Sequence, residues 1–353
     1  MASAPAEHPR SWRMPAETEP QARVWMAFPT VGSYLADGPE AACRARTAWA
    51  RVAHTIAEFE PVTMVVDPAE TEAARSHLDE GKVEIVEAPL DDAWMRDIGP
   101  TFVVDESGQL GAVDWVFNGW GEQSWARWGK DVRIGAFVAA RAGAKPEASP
   151  MVNEGGGIHV DGLGTVLVTE TVQLDPWRNP GWTKADVEAE LARTIGAEHV
   201  IWLPRGLYRD SLRLGTRGHV DMTVTIPSPG VLLVHVQEEP MHPDHAISRE
   251  ILDAVRDTRD ATGLPWEIIE VPAPRIVRDS FDWVDYSYIN HLVVNGGVIG
   301  CAFDDPNDLQ AKEILETAYP GREVVMVPAK DVFAGGGGIH CITQQEPTTG
   351  ERG

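Results

Sequence analysis

The sequence predicts an α+β fold built as a five-fold pseudosymmetric ring of ββαβ modules around a central cavity. Three observations carry this expectation. The string G-G-G-I-H occurs at Gly155 to His159 and again at Gly336 to His340. Similar strand-turn-strand units recur with starts roughly 50 to 70 residues apart, a super-period of large modular repeats. A lone strand near the start, Val24 to Phe28, lacks a partner, and the last unit runs out after Cys341-Ile342-Thr343. Pairing the first strand with the last unit would close the ring and remove exposed sheet edges.

Each unit reads as a β-branched strand, a Gly, Asn or Pro turn and a second strand, the pattern of a hairpin. Asp97 opens the first, with a D-E-S-G turn. His159 to Asp161 lead the second through G-L-G. His219 opens V-D-M-T-V-T-I and the turn P-S-P-G, and Tyr288 opens I-N-H-L-V-V and the turn N-G-G. Between them, apolar residues at helical spacing predict helices over Thr183 to Gly196, Asp244 to Thr262 and Asp305 to Tyr319. Residues 1–13 read as an N-terminal extension, 14–346 as one catalytic domain and 347–353 as a tail.

Composition narrows the function. The 353 residues are 43% hydrophobic, enough for a large core, and carry 54 acidic against 30 basic side chains, a formal charge of −24. Such an excess is first a solubility feature, but it repels phosphate backbones and anionic membranes and is compatible with a cationic substrate. The three cysteines, Cys43, Cys301 and Cys341, form no C-x-x-C pair. That is a poor disulfide framework and points to a reducing cytoplasm. No stretch reads as a signal peptide or approaches the roughly 20 apolar residues of a membrane span.

In a ring of this kind the starts of the inner strands face a common axis. Asp97, Glu154 with His159, His219 with Asp221, Asn290 and Cys341 would then gather at one cavity. A cysteine attacks as the thiolate, yet several carboxylates beside it oppose its ionisation. The set makes sense if the ligand itself brings positive charge. A guanidinium is planar and forked, so Asp97 and Asp221 could clamp it by paired charge-assisted hydrogen bonds. A histidine could then protonate departing ammonia and activate water. The glycines before Cys341, Gly338 among them, would let backbone approach the ligand. Blander readings exist: Cys341 as a small buried hydrophobe, Asp97 as a turn cap. Cys301 reads as core and Cys43 as a helix residue. His242 and His245 look superficially like a metal pair, but helix capping is the simpler reading. His219 and Asp221, two apart on an expected strand, would share one face.

Further motifs run almost the length of the chain. They are M-P-A-E-T-E-P at Met14 to Pro20, W-M-R-D at Trp94 to Asp97 and F-N-G-W-G at Phe117 to Gly121. N-E-G-G-G-I-H-V-D-G at Asn153 to Gly162, W-L-P-R-G-L-Y at Trp202 to Tyr208 and G-H-V-D at Gly218 to Asp221 follow. The last is G-G-G-G-I-H-C-I-T-Q-Q-E-P at Gly335 to Pro347. In this collinear set the chain resembles the agmatine deiminase family, which includes bacterial-type peptidylarginine deiminases, within the pentein superfamily of guanidine-modifying enzymes. The resemblance implies a five-bladed α/β propeller and a C–N hydrolase that needs no metal or organic cofactor and forms homo-oligomers. It implies Cys341 as nucleophile, His219 as acid/base and Glu154 as its partner. Asp97 and Asp221 become the guanidinium clamp, and Trp94 a wall for the substrate.

The leading expectation is hydrolysis of agmatine to N-carbamoylputrescine and ammonia through an amidino-cysteine intermediate. Arg209 to Arg217 departs from the family pattern, being longer and carrying three arginines, and Met222 replaces the usual Asn. Arginines there favour a carboxylate at the far end of the substrate. A guanidino acid, free arginine, amidino transfer to an amine, or a non-catalytic cation-binding ring are therefore the alternatives. No Walker loop, H-E-x-x-H or G-x-S-x-G motif is present.

Overall fold

The computed structural model describes residues 12–31, 33 and 38–349. Its strands form five sheets. Four have three strands and one build: Thr101–Val104, Leu110–Val116 and Lys145–Val152; Ile158–Val160, Thr165–Thr169 and His199–Leu203; Val224–Ser228, Val231–Val236 and Glu267–Pro272; Leu292–Val294, Gly297–Ala302 and Glu323–Pro328. In each, the first two strands pair antiparallel and the third runs parallel to the second. Parallel neighbours need a crossover. The helices Ile134–Arg141, Lys184–Ile195, Pro243–Arg256 and Asp308–Ala318 supply it in turn.

The fifth sheet joins the two ends of the chain. Gln21–Ala27 pairs antiparallel with Thr343–Pro347 and parallel with Val62–Val66, reached through the helix Pro39–Ile56, and Val83–Glu87 adds a fourth strand. The expected pairing of the first strand with the last unit is therefore present.

Local sequence explains the elements. Thr183 and Asp186 form a reciprocal capping box before Lys184–Ile195, and Gly196 ends that helix in the left-handed conformation. His242 accepts a hydrogen bond from the Asp244 N–H and caps Pro243–Arg256, with proline at the first helical position. That helix stops earlier than expected. The Asp260 carboxylate accepts from the Thr262 and Leu264 N–H groups and holds 260–264 as a turn. Likewise Asp308 accepts from Phe303 and Asp305, so its helix begins at Asp308 rather than Asp305.

The chain ends are more integrated than the sequence suggested. Trp12 is buried and Arg13 bridges Val104, so the domain begins before residue 14; the rest of the expected extension, residues 1–11, lies outside the described residues. Pro347 is a buried strand residue, and Thr348 donates to Pro20, while residues 350–353 of the expected tail also lie outside the description. Among the described residues no helix is long and apolar enough to cross a membrane.

A Cβ at Gly196 would lie 2.3 Å from the Trp12 carbonyl oxygen, at φ +74°. Gly196→Ala is expected to destabilise the protein by about 1–3 kcal/mol, read as a lowered thermal unfolding midpoint.

Candidate active site

Every candidate residue but His159 lies in a short segment just ahead of a strand that begins one of the sheets. Asp97 sits in the turn of helix Met95–Ile98, Glu154 before the 3₁₀ turn Gly155–Gly157, and His219 before the 3₁₀ turn Val220–Met222. Asn290 precedes Leu292, and Cys341 precedes Thr343. His219 and Asp221 are thus not two residues along a strand. The His219 N–H donates to Asp210 Oδ2 and Thr216 Oγ1, so it is taken by side chains and not by a ladder partner.

These segments converge. Cys341 is buried, its Sγ 3.2 Å from Asn290 Nδ2 and 3.6 Å from Asp221 Oδ2. Asn290 is fixed in turn, its Oδ1 accepting from the His340 N–H and its Nδ2 also reaching the Asp221 carbonyl. His219 Nε2 lies 3.1 Å from Glu154 Oε2, and Nδ1 lies 3.7 Å from Asp97 Oδ1. Asp97 accepts from the Trp120 indole N–H at 2.8 Å and from the Gly156 N–H at 3.2 Å. Gly156 is the floor of the arrangement. A Cβ there would stand 2.5 Å from His219 Nδ1, 3.0 Å from Asp97 Oδ1 and 3.1 Å from Asp221 Oδ2. Gly337 plays the same part on the other side, where a Cβ would meet Cys341 and Trp94 at about 3 Å. Gly338, expected to approach the ligand, backs instead on Asn290 and Phe333, but it supplies a backbone hydrogen bond to the thiol.

Two polar atoms in this cluster, His219 Nδ1 and Asp221 Oδ1, are buried without a hydrogen-bond partner. Such atoms are uncommon and mark a place that a ligand or water completes.

Burial, then Asp221 and Asp97, pushes the Cys341 thiol well above its ordinary value, against the Gly338 and Asn290 hydrogen bonds. Burial also raises Asp97 to about 6, with Glu154 and Asp221 adding to it and His219 and Trp120 opposing. For His219, burial disfavours the charged ring, but Asp97 and then Glu154 outweigh it and lift the imidazole to about 9. Glu154 goes the other way. Burial is overcome by Arg178, whose Nε lies 3.0 and 3.1 Å from its two oxygens, and by His219, so the carboxyl falls to about 2. The site at neutral pH is an imidazolium between carboxylates, beside a protonated thiol.

Other expectations divide. Trp94 is buried against Trp49 at an edge-to-face angle and borders Gly337. His159 does not join the site: on the strand Ile158–Val160, its Nε2 accepts from the Ile226 N–H and pairs with Thr225, a structural role. Cys301 is core and Cys43 an exposed helix residue. His245 bonds the Gln237 carbonyl. Two neighbours of the site were not picked out from sequence. Trp120 lies in the F-N-G-W-G motif, which marked the segment but not this residue's role, and it adopts a left-handed φ of 57° there. Arg178, 24 residues beyond Glu154, carried none.

The arginine-rich segment is largely self-satisfied. Arg209 pairs with Asp279 and Arg217 with Asp175. Arg213 is exposed, with no acid paired to it among the described residues. It lines a small cavity with Leu214, Asp285, Phe333 and Gly336, next to the glycine run that leads to Cys341.

The sequence model of the Porphyromonas-type peptidyl-arginine deiminase family matches residues 13–347. The chain belongs to this family. A Streptomyces coelicolor member is 54% identical over 96% of this chain and 100% of its own length. An agmatine deiminase of Pseudomonas aeruginosa is 38% identical over 98% of both chains. Among solved structures, an agmatine deiminase of Enterococcus faecalis superposes with a TM-score of 0.90 at 31% identity, covering 96% of this chain and 97% of that one. Family membership makes the chain an enzyme acting on C–N bonds of guanidino groups, with mixed α/β architecture.

If Cys341 is protonated until a cation arrives, iodoacetamide should alkylate it slowly at pH 7, with a rate still climbing above pH 9. A rate already at its plateau near pH 7 would contradict this account of the site.

Proposed function

We propose that this protein hydrolyses agmatine to N-carbamoylputrescine and ammonia, using Cys341 as nucleophile. The observation that carries the reading is the convergence of Cys341 Sγ, Asp97, Asp221 and His219 Nδ1 over Gly156, with polar atoms left for a ligand to satisfy. Relatives named agmatine deiminase at 38% identity over nearly the whole chain support the substrate. Asp97 and Asp221 take N–H groups of the guanidinium, and Trp94 walls its plane. The bound cation then stabilises the thiolate, whose proton leaves to solvent.

The thiolate attacks the central carbon and forms a C–S bond. His219, already an imidazolium, gives its Nδ1 proton to the departing nitrogen, and the C–N bond breaks to release ammonia. Neutral His219 next accepts a proton from water as that water attacks the amidino-thioether carbon. Collapse breaks the C–S bond and the adduct's hydroxyl proton passes to solvent, leaving the urea-type product and the thiolate. Glu154, anchored by Arg178, keeps the ring oriented and charged.

Four sheets of one build and a fifth that joins the 21–27 and 343–347 strands support a closed ring of modules enclosing this site as one domain. Free thiols at all three cysteines support a reducing, cytoplasmic setting, and a homo-oligomer is part of the same reading. A second reading, a guanidino acid as substrate, draws support from Arg213, whereas Asp285 in the same cavity favours an amine-ended tail.

Ammonia release should be fastest with agmatine in a panel with arginine and 4-guanidinobutyrate. Faster turnover of 4-guanidinobutyrate would transfer the assignment to the second reading. Cys341→Ser should abolish turnover while binding persists, and mass spectrometry of quenched wild type should find the amidino group on Cys341. The acid limb of kcat/KM should fall near pH 6, as Asp97 takes a proton and the clamp loses its charge. The alkaline limb should fall near pH 9, as His219 loses the proton it must donate. Flat activity across that range would exclude these roles.

A further inference from the structure

Behind Asp221 lies a second buried array that the reaction above does not use. His340 Nδ1 is 2.7 Å from Asp221 Oδ2, and His340 Nε2 is 2.7 Å from Glu17 Oε1. Glu17 comes from the N-terminal M-P-A-E-T-E-P segment, 323 residues away in sequence. All three side chains are buried. Two carboxylates on opposite ring nitrogens require both nitrogens to donate, so the imidazole between them is a cation.

The surrounding groups agree. Arg96, from helix Met95–Ile98, stands 3.5 Å from Glu17 and holds the backbone on both sides of the thiol, donating to the His340 and Cys341 carbonyls. Gln345 reaches Glu17 from the last strand. His159 and His291, which face the same array, are held neutral by burial above all, His291 at about 4, and Tyr319 stays protonated. Burial and Arg96 oppose charge on His340, but Glu17 and Asp221 prevail and raise it.

We propose that Glu17 and His340 are positioning residues for the guanidine reaction: a buried carboxylate–imidazolium pair that grips Asp221 by Oδ2 and leaves Oδ1 facing the substrate. This rests on the clamp role of Asp221 given above. The unpartnered Oδ1 is the oxygen that the grip frees. The same contact sets the side of Asp221 that lies 3.6 Å from the thiol sulfur. A motif at one end of the chain thereby orients the site at the other.

Agmatine binding to Cys341→Ser, followed by calorimetry from pH 6 to 9, tests this with Glu17→Gln and His340→Gln in the same background. Removing Glu17 lowers the His340 pKa, so the ring stays charged at low pH and becomes neutral as pH rises. Glu17→Gln should therefore bind nearly normally at pH 6 and about tenfold more weakly at pH 9, the difference between a charge-assisted and a neutral hydrogen bond. His340→Gln should be weak at every pH, and adding Glu17→Gln to it should change nothing further. Equal loss at all pH values, additive losses in the double variant, or no loss would each overturn the proposal, since a merely structural Glu17 has no reason to act through His340. If agmatine neither binds nor turns over in the parent proteins, the functional reading fails and the pair is judged without substrate. Iodoacetamide alkylation of Cys341 should then be several-fold slower in Glu17→Gln than in wild type at pH 9, and coincident rate profiles would overturn the pairing.

Discussion

The constraint on which this site depends is the crowding of negative charge around a buried thiol. Asp97 and Asp221 stand beside Cys341, Glu154 lies behind His219, and burial alone already disfavours the thiolate. A nucleophile in that setting is inert without a cation. In the proposed chemistry the substrate supplies it, so recognition and activation become one event. Selectivity follows from this. A neutral amide of the same size would fill the space and leave the thiol protonated.

Countercharges are distributed so that each carboxylate has a different strength. Arg178 holds Glu154 as a strong anion, which keeps His219 protonated, while Asp97 has only the Trp120 indole, the Gly156 N–H and a more distant imidazole and is raised to about 6. Asp221 is held low by the His340 ring, against burial. Asp97, raised to about 6, and His219, raised to about 9, bound a working range in which Asp97 is ionised and His219 charged. Glycine supplies the remaining requirement. Only the lack of a side chain at Gly156 and Gly337 leaves space where the polar atoms meet.

Much of the fold could be read from the chain. Repeated strand-turn-strand units and the orphan strand Val24 to Phe28 led to five sheets and to the pairing of the two ends. Helix limits were less legible at Arg256 and Asp308, because aspartate side chains capture backbone N–H groups there and convert helical sequence into turns. The same competition took His219 and Asp221 off an expected strand, His219 to the cap of a 3₁₀ turn and Asp221 into it. His159 illustrates the limit of motif reading. It repeats the G-G-G-I-H string of His340, yet its ring nitrogen serves a neighbouring strand.

Sequence by itself determined which residue types were available and their order: a thiol after a glycine run, acids and histidines at the starts of repeated units, and a string of motifs that marks the family. Those are properties of local composition and spacing, and they survive translation into any register. Tertiary structure alone decided the partnerships. Arg178 with Glu154, Trp120 with Asp97 and Glu17 with His340 join residues 24, 23 and 323 positions apart. Charge and hydrogen-bond geometry act over a few ångströms of space, and separation along the chain does not encode which buried groups will meet.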